Sequence, residues 1–275
     1  MNKRIACIFA FCLLAICLIF LFSCNKEEIV PASVDILKIG KADCIVINTG
    51  TKIVMIDTGE VENLDDIHFY MNKKGYTSID TLILTHYDKD HIGGASDIIS
   101  TYNVKEVIET KITDNSFEYL DYHNTMANHG INPKKLNEGY SFEYDSCKFT
   151  IDIPQRDKYE EKQDNNSSLI VSMWCGDTSF LFCGDAMELR LREIIEKNIG
   201  TYDFVKLPYH GNYLENYEDF LKMTKPQYSV ITDSKKNPAD EKTLDILKEF
   251  EVENYETRYG TVSITTDGSA IAIKQ

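Results

Sequence analysis

The stretch Thr85-His86-Tyr87-Asp88-Lys89-Asp90-His91-Ile92-Gly93-Gly94 puts two imidazoles and two carboxylates within six residues. It follows Asp80-Thr81-Leu82-Ile83-Leu84, whose apolar run reads as a buried strand. Open α/β sheets place their sites at the C-terminal ends of strands. A loop there can turn alternate side chains into one cavity. Imidazole and carboxylate together suit Zn, Mn or Fe ions. The two glycines let the loop turn tightly into a helix expected over Ala95–Tyr102.

Working outward, short β-branched runs read as strands at Val34–Ile39, Cys44–Asn48 and Lys52–Ile56, before an abrupt Asp57-Thr58-Gly59. Helical spacing marks 62–76, 115–130, 187–198, 213–223 and 239–250. Further strands are expected at Val104–Ile108, in two runs between Tyr140 and Ile153, at Leu169–Trp174, Ser179–Phe182, Phe204–Leu207 and Tyr228–Thr232, and as a closing pair within 261–273. Each half runs strands and then helices, with no Pro/Gly/Ser-rich linker between them. The pattern predicts one α/β domain, a sandwich of two sheets between helical layers.

The central stretch, His-x-Asp-x-Asp-His-x-Gly-Gly, resembles the second motif of the metallo-β-lactamase fold in the variant carried by ComEC-type competence proteins. Five other segments match in the same order: Gly40-Lys41-Ala42-Asp43, Asp57-Thr58-Gly59, Asn165-Asn166-Ser167-Ser168-Leu169, Phe182-Cys183-Gly184-Asp185 and Lys206-Leu207-Pro208-Tyr209-His210-Gly211. The resemblance covers residues 34–270. It implies an αββα sandwich with two mixed β-sheets, and a metal-dependent hydrolase holding two divalent ions, Zn or Mn. One ion would take His86 and Asp88, and the other Asp90, His91 and His210. Asp185 would bridge them, and Asp57 would orient a histidine or a bound water. Asp57, Asp90 and Asp185 are thus the candidate catalytic carboxylates. Asn166, Ser167, Lys206 and Tyr209 are the candidate substrate contacts.

The chain departs from the fold's usual pattern at three places. The third motif, Asp164-Asn165-Asn166, holds no histidine, so any of these residues or a water could complete the first metal. Tyr209 stands where relatives carry His, and Asn237-Pro238 stands where a His-Pro pair is common. The second and third changes bear on chemistry at a phosphate more than on metal binding. A ligand set of three His and three Asp is harder and more anionic than the nitrogen-rich lactamase set, which favours Mn while still admitting Zn. His68, His123 and His129 read as surface residues.

The N-terminus reads as a targeting segment. Lys3 and Arg4 precede 18 uncharged positions, Ile5–Phe22, and the run ends at Ser23-Cys24. Leu21-Phe22-Ser23-Cys24 resembles a bacterial lipobox, which implies a signal peptide over 1–23, a lipid on Cys24, a short tether over 24–33 and a hydrolase domain over 34–275. The alternative is an uncleaved anchor. Both place the domain on the extracytoplasmic face of a bacterial membrane. Cys44, Cys147, Cys175 and Cys183 lie in apolar runs without CxxC spacing and read as buried free thiols.

The 275 residues carry a net charge of −15. Without Lys3 and Arg4, 27 basic residues face 44 acidic ones, a net −17. That balance excludes nucleic-acid binding by bulk charge, though not an enzyme whose metals supply local positive charge. The expected activity is hydrolysis of a phosphodiester or phosphate ester (nucleic acid, nucleotide or envelope component) by a metal-bridging hydroxide. The alternatives are a lactonase, thioesterase or β-lactamase on the same fold, and a catalytically silent metal-binding lipoprotein. No protein partner is evident.

Overall fold

The computed structural model describes residues 29–275, so the leader and Cys24 lie outside the described residues. The strands are β1 (Ala32–Ile36), β2 (Ile45–Asn48), β3 (Ile53–Ile56), β4 (Ser78–Ile79), β5 (Thr81–Leu84), β6 (Asn103–Val104), β7 (Val107–Thr110), β8 (Lys134–Leu136) and β9 (Tyr140–Tyr144). They continue with β10 (Cys147–Asp152), β11 (Ile170–Cys175), β12 (Thr178–Phe182), β13 (Phe204–Lys206), β14 (Tyr228–Ile231), β15 (Glu253–Glu256), β16 (Val262–Thr266) and β17 (Ile271–Lys274). The helices are α1 (Leu64–Lys74), α2 (Lys89–Ile92), α3 (Ala95–Thr101), α4 (Phe117–Asn128), α5 (Gln163–Asn166), α6 (Glu188–Lys197), α7 (Tyr217–Thr224) and α8 (Glu241–Glu249).

Two mixed sheets result, in the orders β17-β16-β1-β2-β3-β5-β7-β8 and β15-β14-β13-β12-β11-β10-β9, and β4 pairs with β6 apart from them. Each sheet is antiparallel on one side and parallel on the other. β3, β5, β7 and β8 run parallel in the first. β12, β13, β14 and β15 run parallel in the second.

Period-two alternation explains the layers. Val54 and Ile56 of β3 meet Phe180 and Phe182 of β12 in the core between the sheets. Met55, Leu82 and Leu84 turn outward onto Ile67 and Met71 of α1, Ile98 and Ile99 of α3, and Tyr122 and Met126 of α4. Leu181, Val205 and Ile231 face α6, α7 and α8 on the far side through Leu191, Phe220 and Leu247. The architecture is the expected αββα sandwich.

In the two main sheets, two strands, β8 and β15, are absent from the sequence reading. Lys134-Lys135-Leu136 and Glu253-Asn254-Tyr255-Glu256 are mostly polar and sit at sheet edges. Edge strands are kept polar against aggregation, which erases the apolar alternation that reveals inner strands.

The cysteines correct an expectation. Cys147 and Cys175 form a disulfide, while Cys44 and Cys183 are buried and free. The pair sits directly opposite across β10 and β11. That register is set by strand pairing across 28 residues, which spacing alone does not expose. A crosslink of this loop length contributes roughly 3–4 kcal/mol in the chain-entropy description. A Cys147→Ala/Cys175→Ala variant should therefore melt about 10 °C lower in a calorimetric scan, and reductant should lower the parent's Tm but leave the variant's unchanged.

Candidate metal centre

Every segment carrying a candidate ligand leaves the C-terminal end of a strand in the parallel halves. Asp57 follows β3, His86 follows β5, Asp185 follows β12 and His210 follows β13. The two halves therefore meet at one seam, where strand-end loops are free of ladder bonding.

Gly94 allows a close approach of two ligand-bearing segments. A Cβ there would lie 2.5 Å from the Thr58 carbonyl, and the Gly94 amide donates to Gly59 O at 3.0 Å. Gly184, at φ +51°, passes against Thr85 and Ser168 and delivers Asp185 to the seam.

Each imidazole is held by one nitrogen and leaves the other unpartnered. His91 Nδ1 lies 2.8 Å from Asp57 Oδ2. His86 Nδ1 lies 3.1 Å from Thr85 Oγ1, which itself donates to Asp57 Oδ2 at 2.7 Å. His210 Nδ1 lies 2.9 Å from both Thr232 O and Thr232 Oγ1. When the ring is neutral, this engagement of Nδ1 keeps the proton there and leaves the Nε2 lone pair free for a ligand. His86, His91 and His210 Nε2 are buried and without hydrogen-bond partners, and so is Asp185 Oδ1.

These orphaned atoms converge. His91 Nε2 lies 3.3 Å from Asp185 Oδ1, and His210 Nε2 lies 3.2 Å from Asp185 Oδ2 and 3.3 Å from Asp90 Oδ2. Buried polar atoms left unpaired are costly, and lone pairs facing carboxylates at this separation fit a shared cation. Asp90, His91, Asp185 and His210 form one such set. His86 and Asp88 adjoin it, with Nε2 to Oδ2 at 3.6 Å and the His86 ring 4.1 Å from that of His91. The residues thus fit the divalent metal chemistry expected of them.

The third motif divides its roles. Asn165 Nδ2 donates to Asp88 Oδ2 at 3.0 Å. Asn166 is turned away, its Oδ1 accepting from Arg190 N and its Nδ2 donating to Glu161 O. Asp164 is half-buried, and burial followed by the nearby Asp88 charge raises its pKa.

Three of the four expected substrate contacts face inward. Asn166 is spent on Arg190 and Glu161. Ser167 Oγ donates to Asp164 O at 2.6 Å. Lys206 is fully buried in β13, ion-paired with Asp43 and donating to Gly184 O at 3.2 Å. A central strand leaves an ammonium no route to solvent, so it takes the buried carboxylate beside it. Tyr209 stays partly exposed, and burial, then Asp185 and Asp88, raises its phenol.

Tyr209 and His210 both adopt left-handed backbone, at φ 52° and 51°. Such residues cost about 1–3 kcal/mol each. The turn that results carries His210 inward and leaves Tyr209 at the rim.

The orienting residues Thr85 and Thr232, and Asn165 as a partner of Asp88, were not singled out from the sequence as acting on ligands. Thr85 borders the second motif, which was a usable signal. Thr232 had none, since it closes an ordinary strand.

Comparison with known proteins agrees with this geometry. Residues 38–231 match the family model described as the metallo-beta-lactamase superfamily. The chain belongs to that superfamily. The expected class, a metal-dependent hydrolase, accords with this membership. ComE operon protein 3 of Bacillus subtilis is 24% identical over 92% of this chain and 36% of that protein. Recombination protein 2 of Haemophilus influenzae is 26% identical over 86% of this chain and 29% of that protein. The chain spans about a third of the length of these curated relatives, which are of the ComEC type that its motifs resemble. The metallo-beta-lactamase fold protein YhfI from Bacillus subtilis superposes with a TM-score of 0.57 at 11% identity, over 89% of this chain and all of that one.

The histidines set a pH dependence. Burial alone would push His210 down, but the carboxylates of Asp185, Asp90 and Asp43 outweigh it and hold the ring up at about 9. The same opposition, led by burial and overcome by Asp185 and Asp57, raises His91. The His210 proton stabilises the metal-free fold fully below the ordinary value of 6.5, and this contribution is lost as pH rises through about 9. Ligation needs the neutral ring. Zinc affinity, measured against a competing chelator, should climb as pH rises toward about 9. A flat profile would remove His210 from the ligand set.

Proposed function

We propose that this chain is a dinuclear metal-dependent phosphodiesterase or phosphate-ester hydrolase, anchored on the extracytoplasmic face of a bacterial membrane. The observation that carries the reading is the convergence of two buried, unpartnered Nε2 atoms, those of His91 and His210, on Asp90 and Asp185, beside the His86–Asp88 pair. His86, Asp88, Asp90, His91, Asp185 and His210 would hold Zn or Mn, which would supply Lewis acidity toward a phosphoryl oxygen and a lowered pKa for bound water. The preference for a phosphate substrate rests on Asp88 within the second motif and on the ComEC-type relatives.

The chain's own groups then have separable tasks. Asp57, with Thr85, orients His91 and His86. Asn165 holds Asp88 in place. Tyr209 offers a phenolic donor to a substrate oxygen; its raised pKa keeps the proton at neutral pH. Among the described residues, Lys41 rather than Lys206 is a cation placed to meet an anionic substrate. Its ammonium lies 5.8 Å from the centre of the Tyr209 ring and 3.4 Å from Asn212 Oδ1. Lys89, the other lysine beside the ligand loop, is already paired with Glu60.

The anchoring rests on the leader and on Cys24. The Cys147–Cys175 disulfide supports the location, because such crosslinks persist in oxidising compartments. Among the described residues no helix is long and apolar enough to cross a membrane.

Residues 25–275 should bind close to two equivalents of Mn or Zn and hydrolyse bis-p-nitrophenyl phosphate, with turnover abolished in Asp185→Asn. Folded, metal-supplied protein that binds no metal would end this reading. Metal without turnover of this or any other phosphate ester would end the phosphodiesterase assignment alone. Lys41→Met should raise KM about tenfold, with kcat nearly unchanged, as expected for loss of uniform binding.

A further inference from the structure

Asp43, together with Lys206 paired to it, contacts each ligand-bearing segment, and its oxygens face the Nδ1 edges of His91 and His210, not the Nε2 atoms that meet Asp185. It lies in the loop between β1 and β2 and is 1% exposed. Its backbone amide donates to Asp90 O at 3.1 Å, and its carbonyl accepts from Gly59 N at 2.8 Å. Its Oδ1 accepts from Thr232 Oγ1 at 2.6 Å. That hydroxyl has one proton, given to Asp43, so toward His210 Nδ1 it acts as acceptor. The other carboxylate oxygen pairs with Lys206, whose ammonium also donates to Gly184 O and stands 3.9 Å from Asp185 Oδ1.

Asp43 belongs to the first sheet, while Lys206 and Thr232 belong to the second. One buried ion pair therefore spans the seam. Through backbone it reaches the segments of Asp57, Asp90 and Asp185, and through Thr232 it reaches His210. A buried charge left without its partner is strongly destabilising, so the two sides cannot separate at this point without penalty. Asp43 Oδ1 also lies 3.6 Å from His210 Nδ1, and its Oδ2 lies 3.9 Å from His91 Nδ1, on the ring edges that face away from the cluster.

We propose that Asp43 and Lys206 form a positioning pair that locks the ligand segments of the two sheets into a single metal-binding geometry, with Thr232 relaying it to His210. The inference rests on the metal-binding reading of the site and is independent of the substrate.

The test is cobalt(II) titration of the full-length chain in detergent, following affinity and the visible ligand-field spectrum. Asp43→Asn should weaken cobalt binding about 10–100-fold and alter the spectrum, the range seen when partners of metal ligands are removed. Thr232→Val keeps the backbone acceptor for His210 and breaks only the relay, and should weaken binding about tenfold; it decides the matter if Asp43→Asn does not fold. Asp35→Asn is the control, since Asp35 is equally buried but bonded to Tyr70, Lys74 and Ser263, outside the metal cluster. It should lower Tm and leave cobalt affinity and spectrum as in the parent. Parent-like affinity in Asp43→Asn or Thr232→Val overturns the pair. So does equal weakening in Asp35→Asn, which would mark general loosening. A parent chain that binds no cobalt overturns the metal reading itself, a distinguishable result.

Discussion

Carboxylates buried at the seam between two sheets are the constraint from which much of this structure follows. Asp43, Asp57 and Asp185 are all within 2% of complete burial. An ionised carboxylate without partners in such a place is prohibitively costly. Each is therefore surrounded by donors or cations. Asp57 accepts from the Thr85 amide at 2.8 Å, from the Thr85 hydroxyl and from His91. Asp43 has Lys206 and Thr232. Asp185 has the facing His91 and His210, and burial, opposed by these two rings, still leaves its pKa well below the usual carboxylate range. Only for Asp185 does the set leave a carboxylate oxygen and facing imidazole nitrogens unpaired, and that marks where a metal belongs.

The architecture supplies this constraint economically. Antiparallel strands at one side of each sheet build the rigid wall, and the Cys147–Cys175 crosslink ties two of them. Parallel strands at the other side deliver their C-terminal ends to a common line. Loops leaving those ends carry the ligands, and those after β3, β12 and β13 each contain left-handed backbone, at Asp57, at Gly184, and at Tyr209 and His210. Strain is concentrated where orientation matters, as expected of sites whose surroundings over-determine them.

Charge then separates the site from the surface. The chain is acidic overall, so a polyanion gains little by approaching at random. In the proposed hydrolysis, selectivity would come from bound metals and from the few cations at the mouth. With Lys206 committed to holding Asp43 and Lys89 to Glu60, Lys41 beside Tyr209 would be a cation to meet an anionic substrate. In the proposed hydrolysis Tyr209, in the position of a histidine, would offer a hydrogen bond while keeping its proton near neutrality, and acid–base chemistry would fall to a water activated by bound metal.

Much of the fold and of the ligand set was legible in the linear sequence. His86, Asp88, Asp90 and His91 lie within one loop, and continuous apolar runs at Leu82–Leu84 and Phe180–Phe182 announced the strands that carry that loop and Asp185. Local chemistry determines such features, because a turn needs its glycines and a strand its alternation wherever they sit. The edge strands β8 and β15, the pairing of Cys147 with Cys175, and the fate of Lys206 were decided only by tertiary structure. Each depends on a partner remote in the chain: a neighbouring strand, an opposite cysteine 28 residues away, a carboxylate on the other sheet. Sequence alone shows that Lys206 enters the last motif. Which way its ammonium points is settled by what burial makes costly, and Asp43, 163 positions earlier in the chain, is the group that answers it.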